Sequence, residues 1–171
     1  MLVETEGPIS IIATSLESLD AEDVGVAELA RLLGVEPPPS WPPQFHGPET
    51  RDWMRGLLRK HPDEPGYASW YLIAHGELVG TIGYKGPPDA QGTVEIGYSV
   101  VDDRHRRGYA SAGVALVTRR ALADRRVAVI FAETLPDGLA SQGVLTKAGF
   151  LRAGSRIDAE DGEVLRFERK R

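Results

Sequence analysis

Cysteine is absent from the 171 residues, which removes disulfides, thiolate metal sites and a cysteine nucleophile together. Long apolar runs are missing too. Nothing approaches the roughly 20 consecutive apolar residues of a membrane-spanning helix, and Met1-Leu2-Val3-Glu4-Thr5-Glu6 carries acids where a signal peptide carries bases. A cytoplasmic location with no membrane partner is expected. Positive charge is scarce, with 20 Lys and Arg against 25 Asp and Glu and a net charge of -5. Nucleic acid is therefore not expected as a partner, because its affinity comes from Lys and Arg on phosphates. The histidines have no metal spacing; His46, His61 and His75 read as surface or loop residues, and no metal is expected. No G-x-x-x-x-G-K-[ST] occurs, and no G-x-G-x-x-G opens a helix. Gly97-Tyr98-Ser99-Val100-Val101 lacks the last glycine of a hydrolase elbow and lies within a strand.

What is present is an ordinary globular composition, 42% hydrophobic and 26% charged, without repeats or linkers. One domain over 1–171 accounts for it. Residues 9–16 read as a strand. Asp20 can cap a helix whose Val26, Leu29, Leu32 and Leu33 share a face and which Gly34 ends. The proline-rich stretch at 36–43 must be loop. A second helix runs over about 50–60, followed by a hairpin of 69–75 and 77–84. Residues 93–101 alternate, with Val94, Ile96, Tyr98 and Val100 on one face and Glu95, Gly97, Ser99 and Val101 on the other. From Gly108 the period becomes helical, and 127–132 returns as an apolar strand, so strand, helix and strand form a parallel crossover. A helix over 139–148 and a hairpin closed by Asp161-Gly162 complete the chain.

The chemistry concentrates where the alternating strand runs through Asp102-Asp103-Arg104-His105-Arg106-Arg107 into Gly108-Tyr109-Ala110-Ser111. A basic, glycine-containing turn sits directly on a helix N-terminus. Free N–H groups, the helix dipole and close backbone access at Gly108 suit a phosphate-bearing ligand. The bland alternative is a solvated basic helix start.

These residues, with Glu95-Ile96-Gly97-Tyr98-Ser99-Val100 before them and Leu139-Ala140-Ser141 and Val144-Leu145-Thr146-Lys147-Ala148-Gly149-Phe150 after, resemble the GNAT acyltransferase superfamily, and within it the Rim-type ribosomal-protein N-terminal acetyltransferases. The resemblance implies an α/β fold: a mixed, mostly antiparallel sheet of six or seven strands with a central splayed parallel pair, flanked by about four helices. It also implies acetyl-CoA as co-substrate, held by Val100, His105, Arg106, Arg107, Gly108, Tyr109, Ala110, Ser111 and Gly138. His105 stands where the family has Gln or Arg, Gly138 where it has a cofactor-contacting Asn, and Leu145 where many relatives have the Tyr that protonates the departing thiolate. That role is then expected of Ser141, whose other reading is an N-terminal helix residue satisfying backbone donors. Glu95 is the expected base; otherwise it is a solvent-facing strand residue. The implied reaction is direct acetyl transfer to a primary amine, a protein N-terminus in the first instance. The alternatives are a polyamine or aminoglycoside acetyltransferase and a non-catalytic acyl-CoA-binding module. Acceptor choice is expected to lie in the loop from Gly34 to Thr50; Trp41, Phe45 and Trp53 either line a lid formed by the proline-rich loop and the second helix or pack locally. The chain would act as a monomer or homodimer.

Overall fold

The computed structural model describes residues 1–171. Eight strands form one sheet: β1 (Val3–Glu6), β2 (Ile9–Ala13), β3 (Ser69–Ala74), β4 (Glu77–Tyr84), β5 (Thr93–Val100), β6 (Val129–Thr134), β7 (Leu151–Asp158) and β8 (Gly162–Lys170). Their order is β1-β2-β3-β4-β5-β6-β8-β7. Every pairing is antiparallel except β5 with β6. Five helices accompany them: α1 (Leu16–Val24), α2 (Val26–Leu33), α3 (Pro48–Lys60), α4 (Tyr109–Ala123) and α5 (Leu139–Lys147). The mixed sheet with one parallel pair is as expected, but it has one more strand than the upper expectation and one more helix than foreseen.

Both extra elements have local causes. β1 is a short, largely exposed edge strand, joined to β2 through Gly7 in a left-handed conformation, so no apolar alternation announces it. The first helix begins at Ser15, not Asp20. The Ser15 hydroxyl accepts from the Ser18 N–H while the Ser18 hydroxyl accepts from the Ser15 N–H, a reciprocal cap that satisfies two otherwise orphaned donors. Gly25, at φ 153°, then divides the helical stretch in two.

Each face of the sheet is covered differently. On one, Val114, Val117 and Ala121 of α4 pack on Leu72, Ile82, Val94, Ile96, Ile130 and Ala132. On the other, Leu29 of α2 packs on Ile12, Tyr71, Ile73 and Leu78, with Leu19 of α1 against Met54 and Leu58 of α3 beyond. The residues of β5, β6 and β8 that point to this second face, Glu95, Gly97, Phe131, Glu133, Arg166 and Glu168, are only half-buried.

Candidate active site

The parallel pair is short. β5 and β6 register only from Thr93 with Val129 to Glu95 with Phe131, although β5 continues to Val100 and β6 to Thr134. Beyond Glu95 the strands part. Glu95 accepts from the Lys85 N–H and Val101 donates to the Val79 carbonyl, so the odd residues of β5 bond to β4. The even residues therefore direct their backbone groups the other way. The N–H groups of Tyr98 and Val100 point into the gap left by β6. Unpaired strand groups in an interior gap call for a partner.

The turn that follows lies at the same end of the sheet. A single 3-10 turn, Asp102–Arg104, leads to Arg106 at φ 58° and Gly108 at φ 80°. Two left-handed residues within three positions orient successive N–H groups to one side, the geometry of an anion-binding concavity. Gly108 is the N-cap of α4 and supplies no side-chain cap; a Cβ there would meet nothing within 4 Å. The helix therefore opens on free space with its first donors uncapped. The basic island divides. Arg104 is held by Glu77, at 2.7 and 2.9 Å, and by Asp103 at 2.8 Å, whereas Arg106 and Arg107 are exposed. The His105 Nε2 lies 2.7 Å from the Val100 carbonyl; a carbonyl only accepts, so Nε2 carries the proton and His105 braces the turn from within. Tyr109 and Ala110 pack against the core beneath the opening, and Ser111 is half-buried beside them.

The other side of the gap is the start of α5. Ser141 does not cap its helix, which has no side-chain cap; its hydroxyl lies 2.8 Å from the Tyr98 hydroxyl, and the Tyr98 hydroxyl lies 3.1 Å from the Ser141 carbonyl. Burial pushes the Tyr98 phenol up to about 12, only partly offset by the Ser141 hydrogen bond. It therefore stays protonated and able to donate at any ordinary pH. Gly138 at the α5 N-cap admits little else: a Cβ there would lie 2.6 Å from Thr134 Oγ1 and 3.1 Å from the Leu135 carbonyl. Leu145 is fully buried in the main core.

Glu95 occupies the opposite, half-open face. Its carboxylate is ion-paired with Lys85. On β6 beside it, Phe131 carries the Arg166 guanidinium 3.7 Å above its ring, and Glu133 receives a two-pronged hydrogen bond from Arg156 at 2.7 and 2.8 Å. That bond holds the Glu133 carboxyl below the usual carboxylate range, with Lys85 and Arg166 adding to the effect. Neither Tyr98 nor Glu133 was singled out as a site residue by sequence reasoning.

The loop from Gly34 to Thr50 is tied down from inside. Trp41 Nε1 and His46 Nε2 each donate to Glu22 Oε1 at 2.8 Å, and the Tyr71 hydroxyl donates to Glu22 Oε2 at 3.0 Å. Of the expectation that His46 is a surface or loop residue, the loop holds and the surface does not: it is 2% exposed, because a buried carboxylate needs donors around it. Trp41 packs locally against His46 and Tyr71, whereas Phe45 and Trp53 are exposed. Ser40 donates to Asp103, bringing the loop beside the turn that opens α4.

A family model described as an acetyltransferase (GNAT) domain matches residues 14–151. The chain is 31% identical over 135 residues to an uncharacterized N-acetyltransferase, YjdG, of Bacillus subtilis (strain 168), spanning 78% of this chain and 80% of that one. Among solved structures it is similar to RimL, a ribosomal L7/L12 alpha-N-protein acetyltransferase in complex with coenzyme A (TM-score 0.73, 18% identity, 98% of this chain and 96% of that one). It is also similar to the microcin C7 self-immunity acetyltransferase MccE in complex with acetyl-CoA and AMP (TM-score 0.72, 11% identity, 97% and 94%). At these identities the two structures speak for the fold.

Proposed function

The chain belongs to the GNAT acetyltransferase family, and from that premise we propose that it moves an acetyl group from acetyl-CoA directly to a primary amine, a peptide N-terminus in the first instance. The observation that carries the reading is the gap between β5 and β6. Backbone donors line it, a left-handed turn opens α4 at its end, and the Tyr98–Ser141 pair bridges it from β5 to α5.

The co-substrate, when bound, supplies an acetyl group activated as a thioester. The chain's own residues then have separate tasks. The α4 N-terminus, with Gly108 leaving the approach open and Arg106 and Arg107 nearby, accepts the phosphates. Gly138 contributes backbone only. The Val100 N–H donates to the carbonyl oxygen as negative charge develops there. Glu95 receives the proton of the acceptor amine, and Ser141 returns a proton to sulfur while Tyr98 donates to the Ser141 oxygen. A modest base serves an N-terminal amine: its ordinary pKa near 8 leaves roughly a tenth of it neutral at pH 7, whereas a lysine near 10.4 costs about 4–5 kcal/mol to deprotonate.

The test is release of CoA thiol from acetyl-CoA in the presence of N-terminal peptides, polyamines or aminoglycosides. Turnover with peptides supports the reading. Turnover with polyamines or aminoglycosides alone would reassign the acceptor, and acetyl-CoA binding without turnover would leave only a carrier of acyl-CoA.

A further inference from the structure

On the face that presents Glu95, the cations Arg156, Arg166 and Lys85 differ in what they hold. Arg156 bridges Glu133 and Asp158. Arg166 pairs with Glu168 at 2.8 Å and stacks on Phe131. Lys85 has a single partner, Glu95. Its side chain is 52% exposed, against 22% for Glu95, so the ammonium stands on the solvent side of the carboxylate it pairs with. An acceptor amine that reaches Glu95 must displace or share that pairing.

Displacement has a consequence for the acceptor. A cationic amine drawn to Glu95 arrives beside a second cation, and like charges in close proximity repel unless a counter-charge comes with them. A polyamine brings more positive charge and makes the conflict worse. An acceptor with an anion close to its amine resolves it: the amine takes Glu95, the anion takes Lys85, and one internal ion pair becomes two across the interface. Arg166, stacked on Phe131, whose partner on β5 is Glu95, extends the same preference outward.

We infer that Lys85 is a specificity-determining residue that selects acceptors bearing a carboxylate next to the reacting amine, such as a peptide N-terminus followed by an acidic residue. The inference rests on Glu95 being the group that engages the amine.

The experiment compares kcat/KM for the peptide amides Ala-Asp-Ala, Ala-Ala-Ala and Ala-Lys-Ala and for spermidine, in the wild type, Lys85→Met and Lys85→Glu. Wild type should favour the acidic peptide over the basic one by on the order of 10-fold, Lys85→Met should bring the two within about 3-fold, and Lys85→Glu should invert the order. Equal use of both peptides by wild type, a preference for Ala-Lys-Ala or spermidine, or an unchanged ratio in Lys85→Met would overturn the inference while leaving a working transferase. No thiol release with any acceptor would overturn the transferase reading along with it.

Discussion

The hydroxyls of Tyr98 on β5 and Ser141 on α5 lie 2.8 Å apart, joining the two sides of the gap where the parallel strands separate. The single phenol proton, held by burial, has two acceptors, the Ser141 carbonyl at 3.1 Å and the Ser141 hydroxyl at 2.8 Å; directed to the hydroxyl, it leaves the serine proton free to move to another acceptor. A tyrosine at position 145 is then unnecessary, which agrees with Leu145 being core.

If the pair acts as a unit, its deletions will not add. Ser141→Ala should lower kcat by about 100-fold and Tyr98→Phe by about 10-fold, with KM for acetyl-CoA little changed. The double variant should be no slower than Ser141→Ala alone, since Tyr98 acts through the serine. A double variant in which the two losses multiply would give Tyr98 a separate role.

Tyr98 also sets a pH dependence of stability. Its folded value, pushed up to about 12, exceeds the ordinary tyrosine value near 10, so the folded chain holds this proton more tightly than the unfolded one. The stabilisation is complete below pH ~10 and is lost as pH rises from ~10 toward 12. The melting temperature of the wild type should therefore fall relative to that of Tyr98→Phe as the pH rises from about 10 toward 12. A constant difference would mean that the phenol titrates no differently in the folded chain.

Glu95→Gln keeps the size of the side chain and removes both its charge and its pairing with Lys85. Turnover at pH 7 should fall by about 100-fold or more and recover partly at higher pH as the acceptor loses its proton unaided. A loss of equal size at every pH would indicate that Glu95 positions the acceptor and does not accept its proton. Calorimetry should find acetyl-CoA affinity unchanged.

Gly108→Asp places a negative charge where the α4 N-terminus opens. Acetyl-CoA at 100 times its Kd stabilises a native protein by about 2.7 kcal/mol, which for a chain of this size amounts to roughly 5–10 °C in Tm. Wild type should show that shift and Gly108→Asp should not. A variant that still shifts would put the phosphates elsewhere.

Much of the site was legible because it follows simple periods. The alternation from Val94 to Val100 placed Glu95 opposite the core, and the change to helical spacing at Gly108 located the start of α4 to within a residue. The same alternation puts Tyr98 on the core face, where it lies, but nothing local signals that its hydroxyl reaches a serine 43 positions away. Asp20 looked like a cap because caps are common at acids, yet the reciprocal bonding of Ser15 and Ser18 satisfies more donors. Gly25 stayed hidden since Val26, Leu29 and Leu33 form an apolar face without it. The apolar run to Ala132 predicts a strand apolar on both sides, whereas β6 extends to Thr134 and turns Glu133 toward the open face. Lys85 lies just past the end of β4, where side-chain direction is not set by strand parity.

The three donors gathered on Glu22 bear on how this protein can diverge. Trp41 and His46 belong to the loop, Tyr71 to β3 and Glu22 to α1, so the segment expected to choose the acceptor is bolted to the scaffold through one buried carboxylate. It is not an exchangeable module. A loop lacking the indole and imidazole donors would strand a charge inside the protein, and a new loop carrying them would need a host that already has the glutamate and the tyrosine. Acceptor range in this lineage should therefore change by substitutions at the loop's exposed positions, such as Phe45, more readily than by wholesale replacement of the loop.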